Sequence, residues 1–129
     1  MLAVDTNILV RFLARDEPKA VVRVNTLLRT QPVWIPKTVL LETEWVLRTA
    51  YGYERDRLLQ AFRGLAGLTN VHLEDALAVR QAMDWLASGL DFADALHLAS
   101  CGEAEGFVTF DKALVRQAKA LASIEVSAL

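Results

Sequence analysis

Short apolar runs alternate with longer stretches of helical periodicity along the whole chain. Five runs are too brief for helices: Leu2-Ala3-Val4, VWI at 33 to 35, VHL at 71 to 73, FVTF at 107 to 110 and IEV at 124 to 126. They read as strands, IEV as an optional last one, and the first as a buried strand that ends directly in an acid, Asp5. Between them the apolar spacing predicts helices over residues 6 to 14, 18 to about 30, 36 to 51, 54 to 66, 74 to 88, 91 to 105 and 111 to 121. Pro18 and Pro36 stand near helix starts, and Gly52, Gly89 and Gly106 near helix ends. Strand and helix in alternation predict an α/β fold with a central, mainly parallel sheet of four or five strands, covered by helices on both faces. The 129 residues fit one domain, 1 to 129, without repeat, low-complexity segment or linker.

Composition narrows the functional classes. Hydrophobic residues make up 53% of the chain, enough to leave an apolar surface for a dimer or a partner. A formal net charge of -2 argues against a broad basic face for nucleic acid, while leaving room for a local patch of arginines. No apolar run approaches a membrane span, and no Lys or Arg precedes Asp5 as in a signal peptide, so a cytoplasmic protein is expected. Cys101 is the single cysteine and reads as a structural residue at a helix end.

Four acids stand out by position: Asp5 and Asp111 after strands, Asp94 in DFADALHLA, and Glu42 within a helix. Asp5 and Asp111 could simply cap helices, and Asp91 and Asp94 could serve as cap and first-turn acid. Glu42 is harder to explain in this way. With Val39, Thr43, Val46, Leu47 and Ala50 taken as the buried face, Glu42 falls on its edge, half-buried, with no basic residue one turn away. Glu44 falls on the opposite side, with Arg48 at i+4 for a solvated ion pair. A half-buried carboxylate without a partner calls for compensation, and a divalent cation would supply it. Carboxylates gathered at one pocket suit Mg²⁺ or Mn²⁺, whereas two histidines, His72 and His97, and one cysteine do not make a zinc site. His97, one turn after Asp94, is expected to be a packed histidine, with a substrate contact as the alternative.

VDTNILV at the N-terminus, VLLETEWVLR at 39 to 48, DFADALHLAS at 91 to 100 and VTFDKAL at 108 to 114 together resemble the PIN domain, most closely VapC-type toxins of bacterial toxin-antitoxin pairs. The resemblance runs the full length of the chain. It implies a three-layer α/β/α fold and a metal-dependent endoribonuclease. It also places the acids of the site on Asp5, Glu42, Asp94 and Asp111, with Thr6, Asn7 and Thr109 as the polar residues beside them. Asp91 matches an additional acid carried by some members. The resemblance further implies a homodimer held inactive by a small antitoxin. Mg²⁺ or Mn²⁺, as one or two ions, would be held by Asp5, Asp94 and Asp111, with Glu42 through water.

Arg11, Arg15 and Arg48, with Arg55 and Arg57, are candidates for RNA phosphates, and Tyr51 and Tyr53 for base stacking; a solvated helix face is the plainer reading. Trp34, Trp45 and Trp85 are expected in a core or an interface. Three other readings compete. A phosphatase is disfavoured because Asp5 is followed by Thr6-Asn7 rather than by a second acid. A DNA-acting nuclease on a similar sheet is the related reading within enzymes. A receiver-like Mg²⁺ module would use Thr109 and Lys112, but it needs an early acidic pair and an Asp after a middle strand, where this chain has Leu73-Glu74-Asp75.

Overall fold

Strands β1 (Leu2–Ala3), β2 (Val33–Ile35) and β3 (Val71–Leu73) pair in parallel in the order β1-β2-β3. They belong to the first of two compact units, Met1–Ala76 and Leu77–Leu129, into which the computed structural model, describing residues 1–129, divides. The connections are helical: α1 (Thr6–Ala14) and α2 (Pro18–Thr30) link β1 to β2, and α3 (Lys37–Thr49) and α4 (Arg55–Ala66) link β2 to β3. With right-handed crossovers, that strand order places both helix pairs on one face of the sheet. Accordingly α1 packs against both α2 and α3. The core of the unit comes from one stripe on each helix, including Leu9 and Val10, Val21 and Val24, Leu40 and Leu47, and Leu58, Phe62 and Leu65.

The second unit carries α5 (Ala76–Ala87), which begins at the boundary, then α6 (Phe92–Ala99), β4 (Gly106–Thr109), α7 (Lys112–Lys119) and β5 (Glu125–Ala128). Strands β4 and β5 pair in parallel, from Gly106 opposite Glu125 to Thr109 opposite Ala128. Val79, Ala82, Met83 and Leu86 of α5, Phe92, Ala95 and Leu96 of α6, and Leu114 and Ala118 of α7 are buried. The α/β class therefore holds, with seven helices, five strands and only parallel pairings.

Several expectations shift. Strand β1 is not buried: it lies at the edge of its sheet, Leu2 and Ala3 are exposed, and only Val4, which donates to the Trp34 carbonyl at 3.1 Å, is covered. Helix α6 stops at Ala99 rather than near residue 105. Gly102 adopts φ 59°, and Glu103 and Glu105 would meet the negative end of a longer helix, so the segment turns instead. Helix α5 starts two residues late because Asp75 holds a left-handed φ of 51°. Glu74 accepts the Lys37 amide at 2.7 Å, capping α3 from the end of the neighbouring strand, while Asp75 pairs with the Lys37 ammonium at 3.1 Å.

The largest correction concerns α3. Its buried positions are Leu40, Thr43, Glu44 and Leu47, so the helix is rotated from the face expected. Glu42 is exposed, and Glu44 is 4% exposed. Two local bonds make this possible: the Thr43 hydroxyl donates to the Val39 carbonyl at 2.7 Å, and Arg48 Nε donates to Glu44 Oε1 at 2.8 Å. The pair read as solvated thus has a buried acid under a half-exposed guanidinium. Arg48→Ala is expected to destabilise the fold by about 1–3 kcal/mol, because the carboxylate loses its main partner, and Glu44→Gln in that background to recover part of the loss. Urea denaturation reads both; a change below about 0.5 kcal/mol for Arg48→Ala would reduce the pair to an ordinary surface contact.

Candidate active site

The predicted residues fall into two groups, one in each unit. In the first, Asp5 closes β1 and caps α1, with its Oδ1 accepting the Thr6 amide at 2.7 Å. Thr6 is buried, and its hydroxyl donates to Glu42 Oε1 on α3. Helix packing of α1 on α3 therefore ties two acids that are far apart in sequence through one residue. Asp5 and Glu42 are both exposed. Asn7 is not part of this group; it lines a separate groove with Ile8, Arg11 and Arg23.

In the second unit Asp94 sits in the first turn of α6, half-buried. Its carboxyl is held above the ordinary value of 3.8, first by burial and then by the charges of Asp91 and Asp111, with His97 acting weakly the other way. Asp91 occupies the N-cap of α6 without a side-chain capping bond. Asp111 caps α7: its Oδ1 accepts the Leu114 amide at 3.1 Å, and its own amide donates to the Thr109 hydroxyl at 3.0 Å. His97 is exposed, which rules out the packed role expected for it. Cys101 follows α6, half-buried, with its thiol donating to the His97 carbonyl at 3.4 Å; burial pushes the thiol up, away from a nucleophile.

The donors in these groups are carboxylates, with one exposed imidazole and no free thiolate, a set whose chemistry suits a hard divalent cation. No group of three or more His, Cys, Asp or Glu side chains is arranged to hold an ion.

The candidate RNA contacts divide. Arg11 is engaged by Asp16 at 3.2 Å, Glu17 at 3.3 Å and the Tyr51 hydroxyl at 3.2 Å, and Tyr51 itself donates to Asp16 at 2.7 Å. That bond from Tyr51 is the main reason the Asp16 carboxyl is lowered. Arg48 is held by Glu44. Tyr53 is buried beneath the Arg57 guanidinium, 4.0 Å from its ring centroid, so it offers no free ring face for a base. Trp85 is buried, Trp34 half-buried and Trp45 58% exposed, which leaves Trp45 outside any core.

The model of one family, the PIN domain, matches residues 2–120. The chain belongs to the PIN domain family. It has that family's α/β/α fold class, and PIN domains are generally nucleases. The match extends across both units. No curated protein matches the chain. Among solved structures, the chain is similar to one in the crystal structure of VapBC2 from Rickettsia felis bound to a DNA fragment from their promoter. That likeness has 12% identity and a TM-score of 0.41, and covers 98% of this chain and 97% of the other. No helix is long and apolar enough to cross a membrane.

The raised Asp94 carboxyl has a consequence for stability. Well below 3.8 the group is protonated in folded and unfolded chains alike. As pH rises past that value the unfolded chain ionises first, and the native state loses stability until its own raised value is passed. Without added metal, Asp94→Asn is therefore expected to be more stable than wild type at neutral pH, by on the order of 1 kcal/mol or less for a partly solvated group, and equal to it near pH ~3. Thermal unfolding across that range reads the difference; a variant less stable at neutral pH would contradict the assignment of strain to Asp94.

Proposed function

We propose that this PIN domain is a metal-dependent endoribonuclease of the VapC toxin type, hydrolysing RNA phosphodiester bonds with Asp5, Glu42, Asp94 and Asp111. The observation that carries the proposal is Asp94, a half-buried carboxylate whose charged neighbours include two further acids. Such a group is unfavourable by itself and becomes favourable beside a cation, the pattern expected where structure has been arranged for chemistry rather than stability. The motifs at residues 4 to 10, 39 to 48, 91 to 100 and 108 to 114 support the assignment to this class.

Each acid has a role set by its local bonds. Asp5 and Asp111 are each fixed through one oxygen to a backbone amide at a helix start, which orients the other oxygen as a ligand. Thr6 holds Glu42 in place, and Thr109 steadies the turn that presents Asp111. Mg²⁺ or Mn²⁺, as one or two ions on Asp5, Asp94 and Asp111 with Glu42 through water, would neutralise phosphate charge and lower the pKa of an attacking water. Asp91, next to Asp94 and without a capping bond, is the reserve ligand. In this reading the two units act as one domain, the chain is a cytoplasmic homodimer, and a small cognate antitoxin restrains it.

Purified partner-free protein is expected to cleave RNA with Mg²⁺ or Mn²⁺, to stop in EDTA and to spare DNA of the same sequence. Asp5→Asn and Asp94→Asn should each lower the single-turnover rate by more than about 100-fold with unchanged circular dichroism. Cleavage that survives EDTA, or an Asp94→Asn variant as fast as wild type, would overturn the proposal.

A further inference from the structure

The first unit holds an open groove of about 400 Å³ between the end of α1 and the outer side of α4, lined by Phe12, Arg15, Tyr53, Arg57, Gln60 and Gly64 among others. Resting on the ribonuclease reading, we infer that this groove is a single-stranded RNA subsite, in which Arg15 meets a phosphate and a base stacks on the outer face of the Arg57 guanidinium.

Three independent features point there. Arg15 closes α1 in the left-handed conformation, φ 55° and ψ 34°, a position that glycine would occupy without strain. An arginine there places a cation at the mouth of the groove, exposed and outside every ion pair of the fold. Arg57 lies over the buried Tyr53 ring, which fixes one face of the guanidinium plane and leaves the other for a flat aromatic group. Gly64 stands two turns after Arg57 on the same side of α4, with Gln60 between them. A Cβ at Gly64 would meet nothing within 4 Å, so the packing of the chain does not require glycine in this helix interior. Bare backbone there lets a ribose or base approach the helix closely, with the Gln60 amide placed to read a base edge.

Arg15 and Arg57 are the only charged residues lining the groove, with no acid among the rest, which suits an anionic occupant. Residues 1 to 76 carry ten Lys and Arg against nine Asp and Glu, whereas residues 77 to 129 carry four against seven. The unit that bears the groove is thus close to neutral overall, and the positive charge that matters is local, the two arginines at the rim.

The test is binding of a fluorescent single-stranded RNA of about a dozen nucleotides to the full chain in EDTA, with cleavage off, followed by anisotropy over a range of salt. Arg15→Gly should weaken binding and lower the salt slope by about one, while keeping or raising the unfolding midpoint because glycine suits the left-handed position. Arg57→Gln should weaken binding about tenfold. Gly64→Ala should weaken it a few-fold while raising the midpoint, a combination that a purely structural glycine would not give. Wild-type affinity in all three variants would overturn the subsite, as for a groove that instead takes an acidic peptide. If wild type still cleaves RNA in that case, only the subsite falls; if wild type neither binds nor cleaves RNA, the ribonuclease reading fails with it.

Discussion

Parallel pairing is the constraint on which the rest of this structure depends. Strands that run the same way must be joined by crossovers, and within each sheet their carboxyl ends then share one edge, where each strand meets the start of the helix that follows. Helix starts expose unpaired amides and a partial positive charge, so acids placed there gain bonds as well as field. Asp5 after β1 and Asp111 after β4 both accept backbone amides in this way, and Glu74 after β3 caps the neighbouring α3. An α/β chain of this kind collects carboxylates along its strand ends for ordinary structural reasons.

Asp94 goes beyond that requirement. A first-turn acid is favoured by the helix dipole, yet burial and the charges of Asp91 and Asp111 outweigh it and push its carboxyl up. Glu42 shows a related arrangement by other means: it is exposed, but the buried Thr6 fixes one of its oxygens and thereby limits its freedom. By contrast Glu44, which is more deeply buried than any of them, is accounted for by Arg48 and has no need of a cation.

Most elements were legible from the chain because their signals were local. The strands at 33 to 35 and 71 to 73 and helix α1 lie where apolar runs and flanking polar residues put them. The four motifs named the family that the domain match shows. The failures came where tertiary packing chose between local options. Either face of α3 could have been buried; Leu40 and Leu47 won, because Thr43 and Glu44 between them could satisfy their own polar atoms. Arg11, plausible as a phosphate contact, proved to be engaged by Asp16, Glu17 and Tyr51, the last of them far along the chain. The link from Thr6 to Glu42 had no sequence signal, since it exists only through the packing of α1 on α3.

The central proposal is that these carboxylates bind a divalent cation. Titration of the protein with Mn²⁺, following the free ion by electron paramagnetic resonance, tests it without any assumption about substrate. The account predicts binding by wild type, binding weakened by at least about tenfold in Asp94→Asn, and wild-type binding in Glu44→Gln. Equal binding by wild type and Asp94→Asn would contradict it.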